Sequence, residues 1–279
     1  IFRTPKRKRQ YYIQTWHSPL RLKLIEKDAE KFLDKFYIYF AKNDASVTDY
    51  MISGCDYSRK IYEKSFWFNG EVLEIGTPRL DIFFKDNKNI KEKVINEFNL
   101  SSENKICLYM PTFRKDKGTD VYKFNYEKFL KNLSGDDWIL LVKLHPNMIE
   151  NSDFITYNEK IIDATHYSDS QELILACDYL LSDYSSVVFD ALYANKPCGM
   201  YIPDFVDYIS NDRPLYFDFN ELPFDKFYSK NELENTKEIL LNSVYGTNRE
   251  EFLTKIGNYE NGRATEKLAE FVEDLLNER

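Results

Sequence analysis

No stretch of the 279-residue chain is apolar for anything near the ~20 residues that a membrane-spanning helix needs, and no signal-peptide pattern is visible. Cysteine is scarce. Cys55, Cys107, Cys177 and Cys198 are isolated, mostly flanked by apolar residues, and lack the close pairing of a metal site. Reduced core thiols, which fit a cytoplasmic protein, are the expected reading. Net positive charge is also missing: 38 basic against 46 acidic residues leave −8, a poor balance for binding nucleic acid. There is no internal repeat and no low-complexity stretch. No acidic cluster stands out as a metal site, so neither a metal nor another cofactor is expected. The first residue is Ile1 rather than Met, which reads as a fragment or processed chain whose N-terminal part is absent.

What the chain has is size and aromatic content. It is long enough for two domains, and 21 Tyr and 21 Phe point to an aromatic-rich core. Strand-like and helix-like runs alternate, the pattern of an α/β protein with a largely parallel sheet. Strands are expected at Tyr11–Thr15, Tyr37–Phe40, Glu71–Ile75, Lys105–Met110, Trp138–Lys143, Ile161–Asp163, Tyr179–Ser182 and Pro197–Tyr201. Helices are expected at about Arg21–Leu33, Thr48–Lys64, Asn125–Leu133, Gln171–Ala176 and Ser185–Tyr193. Three more form the tail, at Lys230–Leu241, Arg249–Ile256 and Ala264–Leu276. The charged segment Lys85–Glu97 marks a boundary near residue 90. A partial N-terminal domain, 1–90, precedes a C-terminal domain, 91–279, whose last helix can pack back on the first domain.

Ligands of open α/β sheets bind beyond the carboxyl ends of the strands, and four reactive clusters fall there. After the serine-rich turn Ser182-Asp183-Tyr184-Ser185-Ser186 an apolar helix begins at once, so Ser185 and Ser186 form a first turn whose amides suit a phosphate. His17, in Trp16-His17-Ser18-Pro19, is either a general base or a histidine that hydrogen-bonds its loop. His145, in Lys143-Leu144-His145-Pro146, is held extended by the following proline. It either donates to a phosphate beside Lys143 or serves a turn. Arg114, after Pro111-Thr112-Phe113, offers a planar fork for phosphate or is solvated; Arg213 is a similar case. Asp190, four residues beyond Ser186, orients a neighbour or faces solvent. His166 has no assignable role. The run Lys6-Arg7-Lys8-Arg9 is a solvated face or an attachment to an anionic surface or polymer.

Taken together, these motifs resemble the CDP-glycerol glycerophosphotransferase family, which builds teichoic acids and related capsule polymers. The resemblance rests on Gln14-Thr15-Trp16-His17, Gly76-Thr77-Pro78-Arg79-Leu80-Asp81, Met110-Pro111-Thr112-Phe113-Arg114 and Lys143-Leu144-His145-Pro146. It continues through Ala176 to Asp190 and then Tyr208 and Arg213. One departure is local: the family commonly has a glycine and a threonine between its first histidine and the proline, where this chain has Ser18 alone.

The resemblance implies a GT-B-like α/β fold of two Rossmann-like domains across a cleft, an incomplete N-terminal acceptor domain and a C-terminal nucleotide-donor domain. It implies transfer of glycerol phosphate or another polyol phosphate from a CDP-activated donor to a hydroxyl of a growing polymer, with release of CMP. His17 maps to the base and His145 to the pyrophosphate site. Arg114, Ser185, Ser186 and Arg213 would bind donor phosphate, with Lys143, Asp183 and Asp190 in support. The implied partners are CDP-glycerol or a related CDP-polyol and a polyol-phosphate or glycan acceptor, lipid-linked at the cytoplasmic face of the membrane, where the protein would be peripheral. The alternatives are a GT-B sugar transferase using a nucleotide sugar and a non-catalytic nucleotide-binding module.

Overall fold

The computed structural model describes residues 5–114, 118–135, 137–145, 148, 154–211, 214–241, 243 and 245–277. Its strands are β1 (Ile13–Gln14), β2 (Tyr50–Ile52), β3 (Glu71–Leu73), β4 (Lys105–Tyr109), β5 (Trp138–Val142), β6 (Ile161–Asp163), β7 (Tyr179–Ser182), β8 (Cys198–Tyr201) and β9 (Asp225–Phe227). Its helices are α1 (Lys35–Val47), α2 (Asp56–Ser65), α3 (Lys88–Glu97), α4 (Tyr126–Asn132), α5 (Ser170–Ala176), α6 (Val187–Tyr193), α7 (Phe205–Asn211), α8 (Lys230–Asn235), α9 (Tyr245–Lys255) and α10 (Ala264–Asn277).

The chain forms two units. One comprises Ile1–Lys85, Tyr208–Glu221 and Glu251–Arg279; the other comprises Asp86–Asp207 and Leu222–Glu250. Where the sequence reading draws one boundary, at 90/91, the chain leaves the first unit after Lys85 and returns to it twice.

The first unit holds the parallel sheet β1-β2-β3. Its C-terminal helix is fastened by the Gly76–Asp81 segment. The Asp81 carboxylate accepts from the amides of Ala264 and Thr265 at 3.0 and 2.7 Å, capping α10 from 183 residues away. One turn earlier, the Thr77 amide donates to the buried Glu260 carboxylate at 2.9 Å.

The second unit holds a six-stranded sheet, all of whose pairings are parallel, in the order β6-β5-β4-β7-β8-β9. Renumbered within the unit, this is the Rossmann order 3-2-1-4-5-6, with its switch point between β4 and β7. β5, β7 and β8 are buried along their whole length, and β4 everywhere but Lys105. Helices cover both faces of such a sheet, so its strands read as unbroken apolar runs. The core against β4, β5 and β7 is aromatic, with Tyr109, Phe124, Tyr126, Phe129, Trp138 and Tyr179 in one cluster. The four cysteines are buried and free.

Several local expectations are corrected. Tyr37–Phe40 is not a strand but lies within α1, because Asp34 accepts from the Phe36 and Tyr37 amides and starts a helix there. The segment from 21 to 33 forms only a 3-10 helix at Glu26–Phe32, and 48 to 64 opens with β2 before α2. The charged segment after Lys85 is itself α3, anchored through buried Val94. Helix α7 and strand β9 were not expected.

Candidate active site

In the first unit, β1 ends at Gln14, whose side-chain oxygen accepts from the Trp16 amide at 2.9 Å. Trp16 adopts φ +57°, a left-handed conformation that residues other than glycine rarely take and that marks a constrained turn. The turn presents His17 to solvent, its ring 4.7 Å from that of Trp16. Trp16 in turn packs edge-on against Phe66 at 4.8 Å. Desolvation by the surrounding protein lowers the His17 pKa, and the charges of Arg21 and Arg79 lower it further. The imidazole is therefore neutral near physiological pH and able to accept a proton. Ser18 is buried and donates to the Leu20 carbonyl. Tyr208, also in this unit, is buried beneath the Lys23 ammonium, 5.3 Å from its ring centre.

In the second unit, the segments leaving β4 and β7 are laced together at the switch point. The Ser182 hydroxyl donates to the Met110 carbonyl at 2.6 Å, and the Asp183 carboxylate accepts from the Thr112 amide at 2.9 Å. Arg114 is buried. Its guanidinium meets Asp183 at 2.6 Å and Asp204 at 3.2 Å, and its Nη1 also donates to the Thr112 carbonyl. The Tyr184 hydroxyl donates to Asp204 at 3.0 Å, and the Tyr184 ring lies 4.9 Å from the guanidinium carbon. Burial alone would lower the Arg114 pKa, but the two carboxylates outweigh it and raise it. For Tyr184 the two effects act together: burial and Asp204 both push its pKa up. The fork expected to reach a phosphate is thus engaged with two carboxylates, and it braces the serine-rich turn.

That turn is half-buried at Ser185 and Ser186. Helix α6 begins at Val187. The amides of Val187, Val188 and Phe189 are taken by Ser185 Oγ, the Ser185 carbonyl and the Ser186 carbonyl. Those of Ser185 and Ser186 have no acceptor among the described residues. Two amides of the turn, rather than a whole helical end, are available to an anion.

Beyond β5, His145 is exposed and stacks on Phe113, with ring centres 6.1 Å apart. Lys143 turns away to donate to the carbonyls of Thr165 and Tyr167 at 3.2 and 2.5 Å, and desolvation lowers its pKa. It ties down the loop after β6. Asp190 is buried on α6 rather than solvated. Arg213 and Pro146 lie outside the described residues. Sequence reasoning missed Asp204 and Arg21: neither sits in a motif, and each becomes significant only through partners distant in sequence. Among the described residues, no group of three or more His, Cys, Asp or Glu side chains is placed to hold a metal ion.

The arrangement has close counterparts. The chain is 34% identical over 227 residues to a teichoic acid poly(glycerol phosphate) polymerase of Bacillus spizizenii, covering 78% of this chain and 58% of that protein. It is 29% identical over 276 residues to a teichoic acid glycerol-phosphate primase of Bacillus subtilis, covering 97% of this chain and 70% of that one. A solved structure of the wall teichoic acid polymerase TagF superimposes with a TM-score of 0.84 at 28% identity, covering 99% of this chain and 72% of TagF, and its GT-B-like α/β fold is the fold found here. Against the poly(glycerol phosphate) polymerases of B. spizizenii, B. subtilis and Staphylococcus epidermidis, the chain spans less than two thirds of the relative's length. The model of the family described as CDP-Glycerol:Poly(glycerophosphate) glycerophosphotransferase matches residues 3–274, and the chain belongs to that family.

Proposed function

We propose that the protein transfers glycerol phosphate, or another polyol phosphate, from a CDP-activated donor to a hydroxyl at the end of a teichoic acid or related polymer. His17 takes the proton of the acceptor hydroxyl. The oxygen attacks the polyol-bearing phosphorus in line, a phosphodiester forms, and the bond to CMP breaks with its electron pair leaving on CMP. Chemistry of this kind depends on positioning and on stabilising charge at phosphate oxygens. The Ser185 and Ser186 amides and His145 hold the donor pyrophosphate, with Arg213 as a further phosphate contact. Arg114, Asp183, Asp190 and Lys143 act in support by fixing the segments that carry those groups. The unit that carries His17 serves the acceptor, and the unit that carries the serine-rich turn serves the donor. The acceptor is lipid-linked, and the protein works as a peripheral protein at the cytoplasmic membrane face. The exposed residues Arg7, Lys8 and Arg9 suit an anionic surface, and no helix among the described residues is long and apolar enough to cross a membrane.

The observation that carries this reading is the serine-rich turn at the switch point of a Rossmann sheet, in a chain of this family. One of the solved TagF structures comes from a soak with CDPG, a ligand of the same chemical class as the proposed donor. The test incubates the full-length protein and a lipid-linked acceptor with CDP-glycerol, CDP-ribitol or UDP-sugars and measures CMP or UDP. CMP from a CDP-polyol, lost in His17→Asn while CDP-glycerol still binds, is expected. UDP release alone would make the protein a sugar transferase, and tight nucleotide binding without turnover would make it a binding module.

A further inference from the structure

Behind the turn that carries His17 lies a guanidinium with no ion-pair partner among the described residues. Arg21 is 3% exposed. Its Nη1 donates to the Pro19 carbonyl at 3.2 Å and to Ser58 Oγ at 3.4 Å, its Nη2 donates to the Tyr62 hydroxyl, and its buried Nε has no acceptor. The guanidinium carbon stands 4.5 Å from the centre of the Tyr62 ring and 5.8 Å from that of Trp16. The groups that act on it most are Tyr62, Cys55 and Tyr216, none of them a carboxylate. Oxygens and ring faces offset part of the desolvation of a buried cation, but they do not cancel its field. In a protein interior that field is weakened far less than in water.

Of the carboxylates nearby, Glu260 acts on Tyr62 and Cys55, accepts from the Thr77 amide through one oxygen and has its pKa raised by burial; the others are engaged elsewhere. On α2, Asp56 and Glu63 pair with Arg59. On the 3-10 helix below, Glu26 accepts from Tyr37, and Asp28 accepts from Ser65 and Tyr216. The charged groups that act on His17 are Arg21 and, from the Pro78–Phe84 segment, Arg79.

We propose that Arg21 is the positioning residue of His17: it ties down the Trp16–Pro19 turn through the Pro19 carbonyl and the Trp16 ring, and it sets a fixed positive charge that opposes a second one on the imidazole. Ser58 reinforces the tie, donating to the same carbonyl at 2.7 Å. Arg21 acts through His17 and touches no reacting atom. Its consequence is a base that stays unprotonated at a pH where a histidine without such a neighbour is partly charged. The inference rests on His17 being the base, but the titration that decides it needs no substrate and so fails independently of that reading.

The chain has three histidines, so a proton NMR titration resolves His17, assigned by its loss in His17→Asn. The expected midpoint lies below that of the same histidine in the urea-unfolded chain. Arg21→Gln, which keeps a donor for the Pro19 carbonyl and removes the charge, raises the midpoint by roughly half a unit or more. Arg21→Met, which removes the charge together with the donor, moves it in the same direction. Arg21→Lys keeps the charge and holds the midpoint near that of the wild type, while kcat falls at unchanged KM. An unchanged midpoint in whichever neutral variant stays folded overturns the proposal. Loss of the fold in both Arg21→Gln and Arg21→Met overturns it equally, by leaving Arg21 a purely structural part.

Discussion

Arg114 Nη1 and Asp183 Oδ2 meet at 2.6 Å between side chains only 3% and 4% exposed. On the other side of the guanidinium stands Asp204, itself 7% exposed. Two carboxylates thus share one cation in a place with little access to water. Arg114→Met would leave both without this cation, and removing one member of a buried ionic group costs about 3–5 kcal/mol. Urea unfolding is expected to show a loss of that size. Asp183→Asn keeps an acceptor for the Thr112 amide and should lose less. An Arg114→Met protein as stable as the wild type would mean that the pair is solvated in solution.

The Asp81 carboxylate offers a second measurable link. It receives the first two amides of α10, in the place of an N-cap side chain from the helix itself. Asp81→Ala leaves both donors without this acceptor at a buried helix start, and the expected loss is about 1–2 kcal/mol in thermal unfolding. Asp81→Asn retains one acceptor and falls between. Limited proteolysis of the Asp81→Ala protein should cut first near residues 258–264.

These two clusters differ in how far the sequence reveals them. Tyr179–Ser182 and Ile106–Tyr109 were legible because a strand buried on both faces must be apolar throughout. The turn after Ser182 was legible because small polar residues interrupt that run. Asp204 was not, since its partner Arg114 lies 90 residues earlier and its own neighbours form no pattern. Arg21 read as an ordinary helix position, and nothing local reports that Tyr62, 41 residues away, closes over it. Tyr37–Phe40 misled for the opposite reason. Its aromatic and β-branched content favours a strand, and the cap at Asp34 outweighs that preference. Arg114 shows the limit for the site: its place at a strand end was readable, but its engagement by two carboxylates was a tertiary fact.

Gly199 on β8 tests the packing under the same sheet. A Cβ there would run into the Tyr179 hydroxyl oxygen and stand 3.0 Å from a ring carbon of Phe227, both residues being buried. Gly199→Ala is expected to destabilise by about 1–3 kcal/mol through overpacking. The Tyr179 hydroxyl is buried with no hydrogen-bond partner among the described residues, so Tyr179→Phe should be nearly neutral by itself. In the Gly199→Ala background it should restore part of the loss. A double-mutant cycle showing no coupling would remove this contact as the cause.

Glu260 makes stability depend on pH in a direction that can be stated in advance. Its side chain lies against Gly54 and Gly76; one oxygen accepts from Thr77, and the other is buried with no partner among the described residues. Burial, with a contribution from Asp81, pushes its pKa up from 4.5 to about 7, although the Thr77 amide pulls the other way. Between those values the native chain holds a proton that the unfolded chain has released. Stability therefore falls as pH rises from about 4.5 to about 7 and levels off above. The difference is on the order of 3 kcal/mol. Glu260→Gln keeps an acceptor for Thr77 without the titration. It should match the wild type near pH 4.5 and exceed it at pH 8, as read from urea midpoints across that range. Parallel pH profiles for the two proteins would show that the carboxylate reaches water and carries no such burden.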